Sequence, residues 1–535
     1  MSGDSRASFD VAHSRAAAWL AAEPDADVRA ELATLLNGSR SELIARFHGR
    51  LQFGTAGLRG SMGAGPLRMN RLVVRQAAAG LVRYVSSQWP DAAARGIIIG
   101  FDARHKSADF ALDTARVVAG AGVRALLLPS PLPTPVLAWN ILEVGAIAGV
   151  MVTASHNPAA DNGYKVFLGD GAQIVPPHDS GITACIDQLD PCTVVLAPAD
   201  DPLIEWLDEA SESKYLASIP AVRYRPDLSG VGVAYTAMHG VGGATLLRAF
   251  RDSGLPTPFV VHEQQHPDPD FPTVAFPNPE EPGAMDLLLA RAADSGALLA
   301  LANDPDADRL GAAIPTRDGS WRRLTGDDLG WLLADHILSH TSGADRLVIT
   351  TLVSSSLLSR MAAEYGVQFR ETFTGFKWIG RTVLDHPELR FVFGYEQALG
   401  YLVCQQPMDK DGISAAVLMA EVAAFAAAHG VTLQDRLDAI ARRFGRHVTA
   451  EKSLRLDPVV AVQRVDAMRH SPPTHVGDRT VTGVEWIEAA GLLRVWLDDI
   501  RLQVRPSGTE PKVKLYGEAI DMDPAPYLTA LGELL

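Results

Sequence analysis

Three times along this chain, a short apolar strand pattern runs directly into a polar loop. These strands are predicted near residues 146–152, 298–302 and 391–393, each within an alternation of strand and helix patterns. Such alternation is typical of parallel sheets whose strands are joined by right-handed helical crossovers. We therefore predict an α/β protein with three tandem α/β domains, whose sheets are parallel or mixed.

The two ends of the chain depart from this pattern. The first fifty residues are rich in good helix formers and predict a helical extension. Residues 493–497 and 500–504 predict antiparallel strands joined by a short turn, which indicates a small C-terminal α+β domain. The predicted segments are the extension over 1–50, α/β domains over 51–205, 206–322 and 323–440, and the α+β domain over 441–535.

Composition excludes several classes of protein. The length of 535 residues requires several cores, since a single core stops growing well below this size. Asp and Glu number 63 against 48 Lys and Arg, and the net charge of -15 argues against a nucleic-acid polymer as the main partner. Three cysteines without a C-x-x-C pair indicate neither a disulfide framework nor a zinc site. A polar N-terminus and the lack of a long apolar run predict a cytoplasmic protein with no membrane partner.

The first polar loop, residues 153–158, reads Thr-Ala-Ser-His-Asn-Pro and places the Ser155 hydroxyl at the end of a buried strand. A hydroxyl at the carboxyl edge of a parallel sheet can carry a phosphoryl group between substrates. The alternative is an ordinary turn with a capping Ser. The G-x-S-x-G elbow of hydrolases is absent, and neighbouring residues in extended backbone point to opposite sides. We therefore expect His156 to support the loop rather than to deprotonate Ser155.

The second polar loop carries three carboxylates at alternate positions, Asp304, Asp306 and Asp308. Carboxylates at this spacing can converge on one hard divalent cation. An EF-hand is excluded, because the sixth position is Arg309 instead of Gly and the twelfth is Pro315 instead of Glu. The alternative is a solvated acidic turn, but three packed aspartates repel one another unless a cation is present. The spacing favours a Mg²⁺ site.

Further loops are suited to binding anions. The segment Arg-Pro-Ser-Gly-Thr-Glu-Pro beginning at Arg505 offers one guanidinium, two hydroxyls and the backbone amides of Ser507, Gly508 and Thr509. An ordinary Pro-Ser-Gly turn is the alternative there. Weaker candidates are Arg59 in a Gly-rich loop, Lys377 after Gly375, and Lys165, a possible proton carrier if flanked by other cations.

Together these loops resemble those of the α-D-phosphohexomutase superfamily, which contains phosphoglucomutases and phosphomannomutases. The resemblance extends over essentially the whole chain and adds a sugar loop at residues 394–401, Gly-Tyr-Glu-Gln-Ala-Leu-Gly-Tyr. Residues 52–59, 374–380 and 410–412 further resemble the longer, phosphoglucomutase-2-like branch, some of whose members act on phosphopentoses. The superfamily implies four domains around a central cleft.

The resemblance also implies roles for individual residues. Ser155 is similar to the serine that is phosphorylated in the active enzyme, and its phosphoryl oxygen would join the three aspartates as a metal ligand. Arg59, Lys165 and, in a supporting role, His156 lie with it in the catalytic group. The implied contacts with substrate are made by Arg309, Gly375, Lys377, Glu396, Arg505, Ser507, Gly508 and Thr509.

The implied activity is a phosphohexomutase that interconverts hexose 1-phosphate and hexose 6-phosphate, with glucose and mannose as candidate sugars. Mg²⁺ would be the cofactor, glucose 1,6-bisphosphate the activator and intermediate, and sugar phosphates the partners. One position departs from the family: Ala398 stands where the sugar loop usually has Ser, which predicts relaxed choice of sugar. A phosphopentomutase, a sugar-bisphosphate synthase, a phosphosugar hydrolase and a non-catalytic sensor are alternatives. Aspartate is the usual nucleophile of such hydrolases, and the intact Ser155 and aspartates argue against a sensor.

Overall fold

The computed structural model describes residues 3–54, 57–506 and 512–535. Within it the chain forms two compact units. The first contains residues up to 323 together with 400–424, and the second contains 324–399 together with 425–535. Each unit is described by itself below.

Three helices occupy the N-terminal segment, as the sequence predicts. Their mutual packing includes an edge-to-face contact between Trp19 and Phe47, whose ring centroids are 5.8 Å apart. The Glu31 carboxylate accepts from Arg46 at 2.9 Å and from the backbone amide of Ala64 at 2.8 Å, which ties the extension to the following domain. The helices are α1 (Gly3–Ala22), α2 (Ala26–Asn37) and α3 (Arg40–Phe47).

The first sheet has six strands in the order β1-β5-β4-β2-β3-β6. Its central strands β2, β3 and β4 are parallel and fully buried, while β4, β5 and β1 pair antiparallel. The strands are β1 (Gly57–Ser61), β2 (Ile97–Phe101), β3 (Ala125–Leu127), β4 (Ala148–Val152), β5 (Asp161–Leu168) and β6 (Ile204–Trp206). The helices are α4 (Arg71–Gln88), α5 (Ala92–Arg95), α6 (Ser107–Gly120), α7 (Thr134–Glu143), α8 (His178–Asp187) and α9 (Ala210–Ser218).

The second sheet has five strands in the order β11-β10-β9-β7-β8, again with parallel β7, β8 and β9 at its centre. Strand β10 returns antiparallel to β9. The strands are β7 (Val233–Thr236), β8 (Phe259–Val260), β9 (Leu299–Asn303), β10 (Leu310–Pro315) and β11 (Trp321–Arg323), with helices α10 (Gly242–Asp252) and α11 (Asp286–Ser295).

The third sheet contains the parallel strands β13-β12-β14. Helix α12 begins with a capping box, in which Thr325 and Asp328 each accept the other's backbone amide. The elements are α12 (Gly326–His340), β12 (Arg346–Thr351), α13 (Leu357–Glu364), β13 (Gln368–Thr372), α14 (Phe376–Asp385), β14 (Arg390–Glu396), β15 (Gly400–Leu402) and α15 (Gly412–Ala428).

The C-terminal sheet is antiparallel throughout, in the order β16-β22-β21-β20-β19, and packs against two helices, as an α+β domain requires. The elements are α16 (Leu433–Phe444), β16 (His447–Arg455), α17 (Pro458–His470), β17 (His475–Val476), β18 (Arg479–Thr480), β19 (Gly483–Ile487), β20 (Leu492–Leu497), β21 (Ile500–Pro506), β22 (Lys512–Ile520) and α18 (Ala525–Glu533).

A common plan runs through the three α/β sheets and confirms the predicted repeat of topology. In each, the third strand of the repeat lies beside the first, and the second strand lies on the other side of the first: β4-β2-β3, β9-β7-β8 and β14-β12-β13. The chain leaves each third strand through one of the polar loops. Each of these loops also contains a non-glycine residue in the left-handed region, with φ of 54° at Ser155, 54° at Ala307 and 62° at Leu399.

No single helix in the described part of the chain is long and apolar enough to cross a membrane. The bent pair formed by α15 and α16 passes the same test together, by length and composition alone.

Candidate active site

Ser155 lies three residues beyond the end of β4, in a tight turn. Its φ of 54° belongs to the left-handed region, which costs an L-residue energy and recurs at functional sites. The Thr153 hydroxyl accepts the Ser155 backbone amide at 2.8 Å and stabilises the turn. The turn directs the buried Ser155 hydroxyl to Asp304, whose Oδ2 accepts its hydrogen bond at 2.8 Å.

Arg104 holds the backbone of this loop, and the sequence reading did not single it out. Its Nη2 donates to the carbonyls of Ser155 and Asn157, both at 2.6 Å, and its Nη1 donates to the carbonyl of Pro158 at 2.9 Å. The guanidinium also lies 4.9 Å from the ring centre of Phe271. The signal in the sequence was the position of Arg104 just after β2, at the same sheet edge as the serine loop.

The three aspartates of the second loop converge, as the sequence predicts. Asp304, Asp306 and Asp308 are fully buried, and one oxygen of each lies within 4.8 Å of the others. The turn closes through a hydrogen bond of 2.9 Å from the Ala307 amide to the Asp304 carbonyl. A solvated acidic turn, the alternative reading, is therefore wrong, because these carboxylates are inside the protein.

In two of the carboxylates, one oxygen accepts hydrogen bonds and the other is buried. Asp306 Oδ2 accepts from Lys165 at 2.6 Å and from the Thr134 hydroxyl at 2.6 Å. Asp308 Oδ2 accepts from Lys165 at 2.7 Å and lies 2.9 Å from the ammonium of Lys410. Both Oδ1 atoms are buried, and neither has a hydrogen-bond partner among the described residues. Unpaired buried carboxylate oxygens are the donors that a hard divalent cation takes, so this cluster fits such a cation.

The charges in the cluster push the pKa values of its carboxyls apart. Burial and the neighbouring Asp306 and Asp308 carboxylates raise the pKa of Asp304 to about 7. Burial also acts to raise the pKa of Asp308, but the ammonium groups of Lys165 and Lys410 outweigh it and lower that pKa. Lys165 thus lies against two carboxylates, whereas the proton-carrier hypothesis assumed cationic neighbours.

His156 contacts both Ser155 and Arg309, which corrects one expectation. Because Ser155 is left-handed rather than extended, the two side chains do not point apart, and Ser155 Oγ lies 3.3 Å from His156 Nδ1. The Arg309 guanidinium donates to the same Nδ1. Burial of the imidazole, together with Arg309, lowers the pKa of His156 well below its ordinary value, so the ring is neutral. Since Arg309 donates to Nδ1, the Ser155 hydroxyl donates its hydrogen bond to Asp304 and not to His156. The supporting role expected for His156 fits this geometry.

The remaining candidates occupy separate places. Arg59, on β1, donates to the Asn157 side chain at 3.2 Å and so adjoins the serine loop. In the second unit, Gly375 (φ 111°) precedes α14, Lys377 is buried in its first turn, and Glu396 ends β14. Arg505 lies on another sheet, in β21. Ser507, Gly508 and Thr509 lie outside the described residues, so the predicted phosphate loop stays a prediction, as do the sugar and substrate contacts.

Two further residues of the aspartate cluster were not assigned a role from sequence. Thr134 lies in none of the sequence motifs described above, and Lys410 was noted only within the motif at residues 410–412. Lys410 is buried, and although burial acts to lower its pKa, the Asp308 and Asp409 carboxylates outweigh this and raise that pKa. Both residues approach the cluster from sequence positions more than 100 residues from Asp306 and Asp308, a distance that a local pattern does not reveal.

Comparison with protein families gives three consecutive matches. They are to domains I, II and III of "Phosphoglucomutase/phosphomannomutase, alpha/beta/alpha", over residues 50–191, 213–319 and 325–444. The first match contains Ser155, the second contains the three aspartates, and the third contains Glu396.

Individual relatives carry several names. A probable phosphomannomutase of Haemophilus influenzae is 41% identical over 85% of this chain and 94% of its own. The Homo sapiens phosphopentomutase is 37% identical over 78% and 72%, and the Homo sapiens glucose 1,6-bisphosphate synthase is 34% identical over 94% and 88%. A solved structure of a putative phosphomannomutase from Thermus thermophilus shares the fold, with a TM-score of 0.71 at 24% identity over 91% of this chain and 98% of its own.

Proposed function

The chain belongs to the phosphoglucomutase/phosphomannomutase family, and we propose that it interconverts hexose 1-phosphates and hexose 6-phosphates through a phosphoserine at Ser155. The observation that carries this proposal is the hydrogen bond of 2.8 Å from the Ser155 hydroxyl to Asp304. It places a nucleophilic oxygen directly beside a buried carboxylate cluster that fits a divalent cation.

The proposed reaction has two phosphoryl transfers. A free hydroxyl of the bound hexose phosphate attacks the phosphorus of phospho-Ser155, the Oγ–P bond breaks, and a hexose 1,6-bisphosphate forms. After the bisphosphate turns over, the Ser155 oxygen attacks the other phosphoryl group and the product hydroxyl leaves. In the first transfer the sugar hydroxyl loses a proton and the Ser155 oxygen gains one. In the second, the Ser155 hydroxyl, which donates to Asp304 Oδ2 at 2.8 Å, loses its proton and the departing sugar oxygen gains one.

The cation that the cluster would hold and the basic residues beside it would neutralise the negative charge of the phosphoryl group during transfer. Asp304, Asp306 and Asp308 would hold the cation, which we propose to be Mg²⁺, and the bound ion would offset the negative charge of the transferring phosphoryl group. Lys165 and Arg309 bring further positive charge to the same place. The site is buried around Ser155, which strengthens each of these interactions by excluding water.

The proposed choice of sugar rests on sequence motifs. We propose glucose and mannose phosphates as substrates. On the basis of their sequence motifs, we further propose that Lys377, Glu396 and the segment from Arg505 to Thr509 contact the sugar and its second phosphate. Similarity to a phosphopentomutase and to a glucose 1,6-bisphosphate synthase supports two alternatives on the same scaffold. Assays with the 1-phosphates of glucose, mannose and ribose, in the presence of catalytic glucose 1,6-bisphosphate, distinguish them.

The proposal is tested by following the phosphoryl group. We expect glucose 1,6-bisphosphate labelled with ³²P to label the wild-type protein at Ser155 and to leave Ser155→Ala unlabelled. That variant should lose at least about a thousandfold in turnover, ~4 kcal/mol of transition-state stabilisation.

Ser218→Ala is the matched control, because its hydroxyl donates to the Tyr215 carbonyl at 2.7 Å, three residues before it in the chain. This control should be labelled and active. If Ser155→Ala kept more than about a tenth of the wild-type rate, Ser155 would not be the phosphoryl carrier.

A further inference from the structure

Thr134 holds the aspartate loop through both its side chain and its backbone. It is the first residue of α7 and is fully buried. Its hydroxyl donates to Asp306 Oδ2 at 2.6 Å, and its backbone amide donates to the Asp306 carbonyl at 2.9 Å. Thr134, in the first α/β repeat, therefore fixes both the side chain and the backbone carbonyl of Asp306, in the second.

The side-chain bond determines how the Asp306 carboxylate is oriented. With Thr134 and Lys165 both donating to Oδ2, rotation of the carboxylate would break two short hydrogen bonds. The other oxygen, Oδ1, is buried and has no hydrogen-bond partner among the described residues, so fixing the carboxylate also fixes the oxygen that is left for a cation. From this geometry we propose that Thr134 is a positioning residue for the divalent cation, acting through Asp306. The inference rests on the proposed function, which supplies the cation.

Charge explains why a hydroxyl is suited to this role. Asp306 and Asp308 also contact the ammonium groups of Lys165 and Lys410, and each of these repels a cation that approaches the cluster. Thr134 orients a ligand and adds no charge. Its removal therefore loses orientation with no electrostatic gain to offset the loss.

The experiment compares metal binding by three variants of the full-length, dephosphorylated protein. Thr134→Val keeps the branched shape and removes the donor, while Thr134→Ser keeps the donor. Thr114→Val is the matched control, because Thr114 is equally buried, on α6, and its hydroxyl donates to the Phe110 carbonyl at 2.8 Å, away from the aspartates. Binding is measured with Mn²⁺ as probe, from the electron paramagnetic resonance signal of the free ion, and thermal melting by circular dichroism checks folding.

We expect Thr134→Val to raise the Mn²⁺ dissociation constant by about 10-fold to 100-fold, the range for partners of metal ligands, and Thr134→Ser to stay within about threefold of wild type. Thr114→Val should bind as wild type does. Turnover by Thr134→Val should recover at saturating Mg²⁺, which a general structural defect would not allow. If Thr134→Val does not fold, Thr134→Ala replaces it, since the backbone bond to Asp306 is kept.

Two results with the variants would overturn the inference. One is unchanged Mn²⁺ affinity in the folded variant without the hydroxyl, and the other is an equal loss in Thr134→Ser. Wild-type protein that takes up no Mn²⁺ would also overturn it, and would remove the metal from the proposed function. The labelling of Ser155 by the bisphosphate would still test the phosphoserine by itself, so the two failures can be told apart.

Discussion

The loops that follow β4 and β9 share one backbone design and use it for different chemistry. Each leaves a buried parallel strand, passes through a non-glycine residue with φ of 54°, and returns along an antiparallel strand. In the first loop the left-handed residue is Ser155 itself. In the second it is Ala307, which lies between the metal-ligand candidates Asp306 and Asp308.

The two loops are also held in different ways. Arg104 fixes the first through backbone carbonyls and leaves the Ser155 side chain able to carry a group. The second is fixed through its side chains as well as its backbone, because Thr134, Lys165 and Lys410 all contact carboxylate oxygens and the Thr134 amide donates to the Asp306 carbonyl. A nucleophile that gains and loses a phosphoryl group needs a rigid backbone under a free side chain, whereas metal ligands need rigid side chains.

After the loss of Ser155 itself, the largest effect is expected when a side chain of the second loop loses its charge. Asp306→Asn should lower turnover by at least about a hundredfold, ~2.7 kcal/mol, since a direct ligand matters more than the partners of ligands. The rate is measured over a range of Mg²⁺ concentrations. Asp113→Asn, which alters a buried carboxylate paired with Arg71 and Arg75, serves as a control for lost stability. Unchanged activity and unchanged metal dependence in Asp306→Asn would place the metal elsewhere.

In the third repeat, a buried aspartate contacts β14, the strand that leads into the polar loop, and its contribution to stability should depend on pH. Asp327 is buried and accepts from the Tyr395 hydroxyl of β14 at 2.8 Å, and burial raises its pKa to about 6. A raised carboxyl pKa means that the folded state binds the proton more tightly. The stability contributed by this group is therefore full below about pH 4 and is lost as the pH rises to about 6.

Asp327→Asn should remove that loss. Relative to the variant, wild type should lose on the order of 2–3 kcal/mol in unfolding free energy between pH 4 and pH 7. Urea unfolding of both proteins at several pH values measures the difference between their unfolding free energies. The titration of other groups affects both proteins equally and cancels from this difference. Parallel stability curves would show that Asp327 does not titrate in this range.

A smaller effect is expected from the backbone clamp of the first loop. Lys cannot reach the carbonyls that the fork of Arg104 spans, so Arg104→Lys should lower kcat by about tenfold, ~1.4 kcal/mol. Arg346 is a matched control in the second unit, because it also donates to several backbone carbonyls, including those of Gly343 and Thr341, both at 2.8 Å. Arg346→Lys should lower the melting temperature and leave kcat unchanged. Equal effects on kcat would make Arg104 an ordinary structural residue.

The smallest effect concerns the sugar loop, where Ala398 precedes the left-handed Leu399. An alanine leaves no polar group stranded when the sugar changes, so the preference between glucose and mannose phosphates should stay within about a hundredfold. Ala398→Ser should change that preference by roughly threefold to tenfold, and Ala363→Ser, on the exposed side of α13, should not. The ratio of kcat/KM values measures this. A native preference above ~10⁴-fold would contradict the expectation.

Local patterns predicted much of this molecule and missed its long-range contacts. The strand expected at residues 146–152 is β4, Ala148–Val152, and the aspartate loop follows β9 as expected. Periodicity could not show that Ser155 is left-handed, because that conformation costs energy and is imposed by the surrounding loop. Thr134, Lys165 and Lys410 meet the aspartates only because segments far apart in sequence pack together, and no local spacing encodes that packing.

The pairing of the aspartates with Lys165 and Lys410 bears on what happens when the cation departs. The ammonium groups of the two lysines already form ion pairs with these carboxylates, and Lys165 contacts two of them at once. The loop can therefore keep its shape without an ion. Small zinc domains, by contrast, unfold when their metal is removed. Here we expect a chelator to stop turnover reversibly without unfolding the protein. The ion would bind and dissociate as a soluble substrate does, at a site whose residues are already in place.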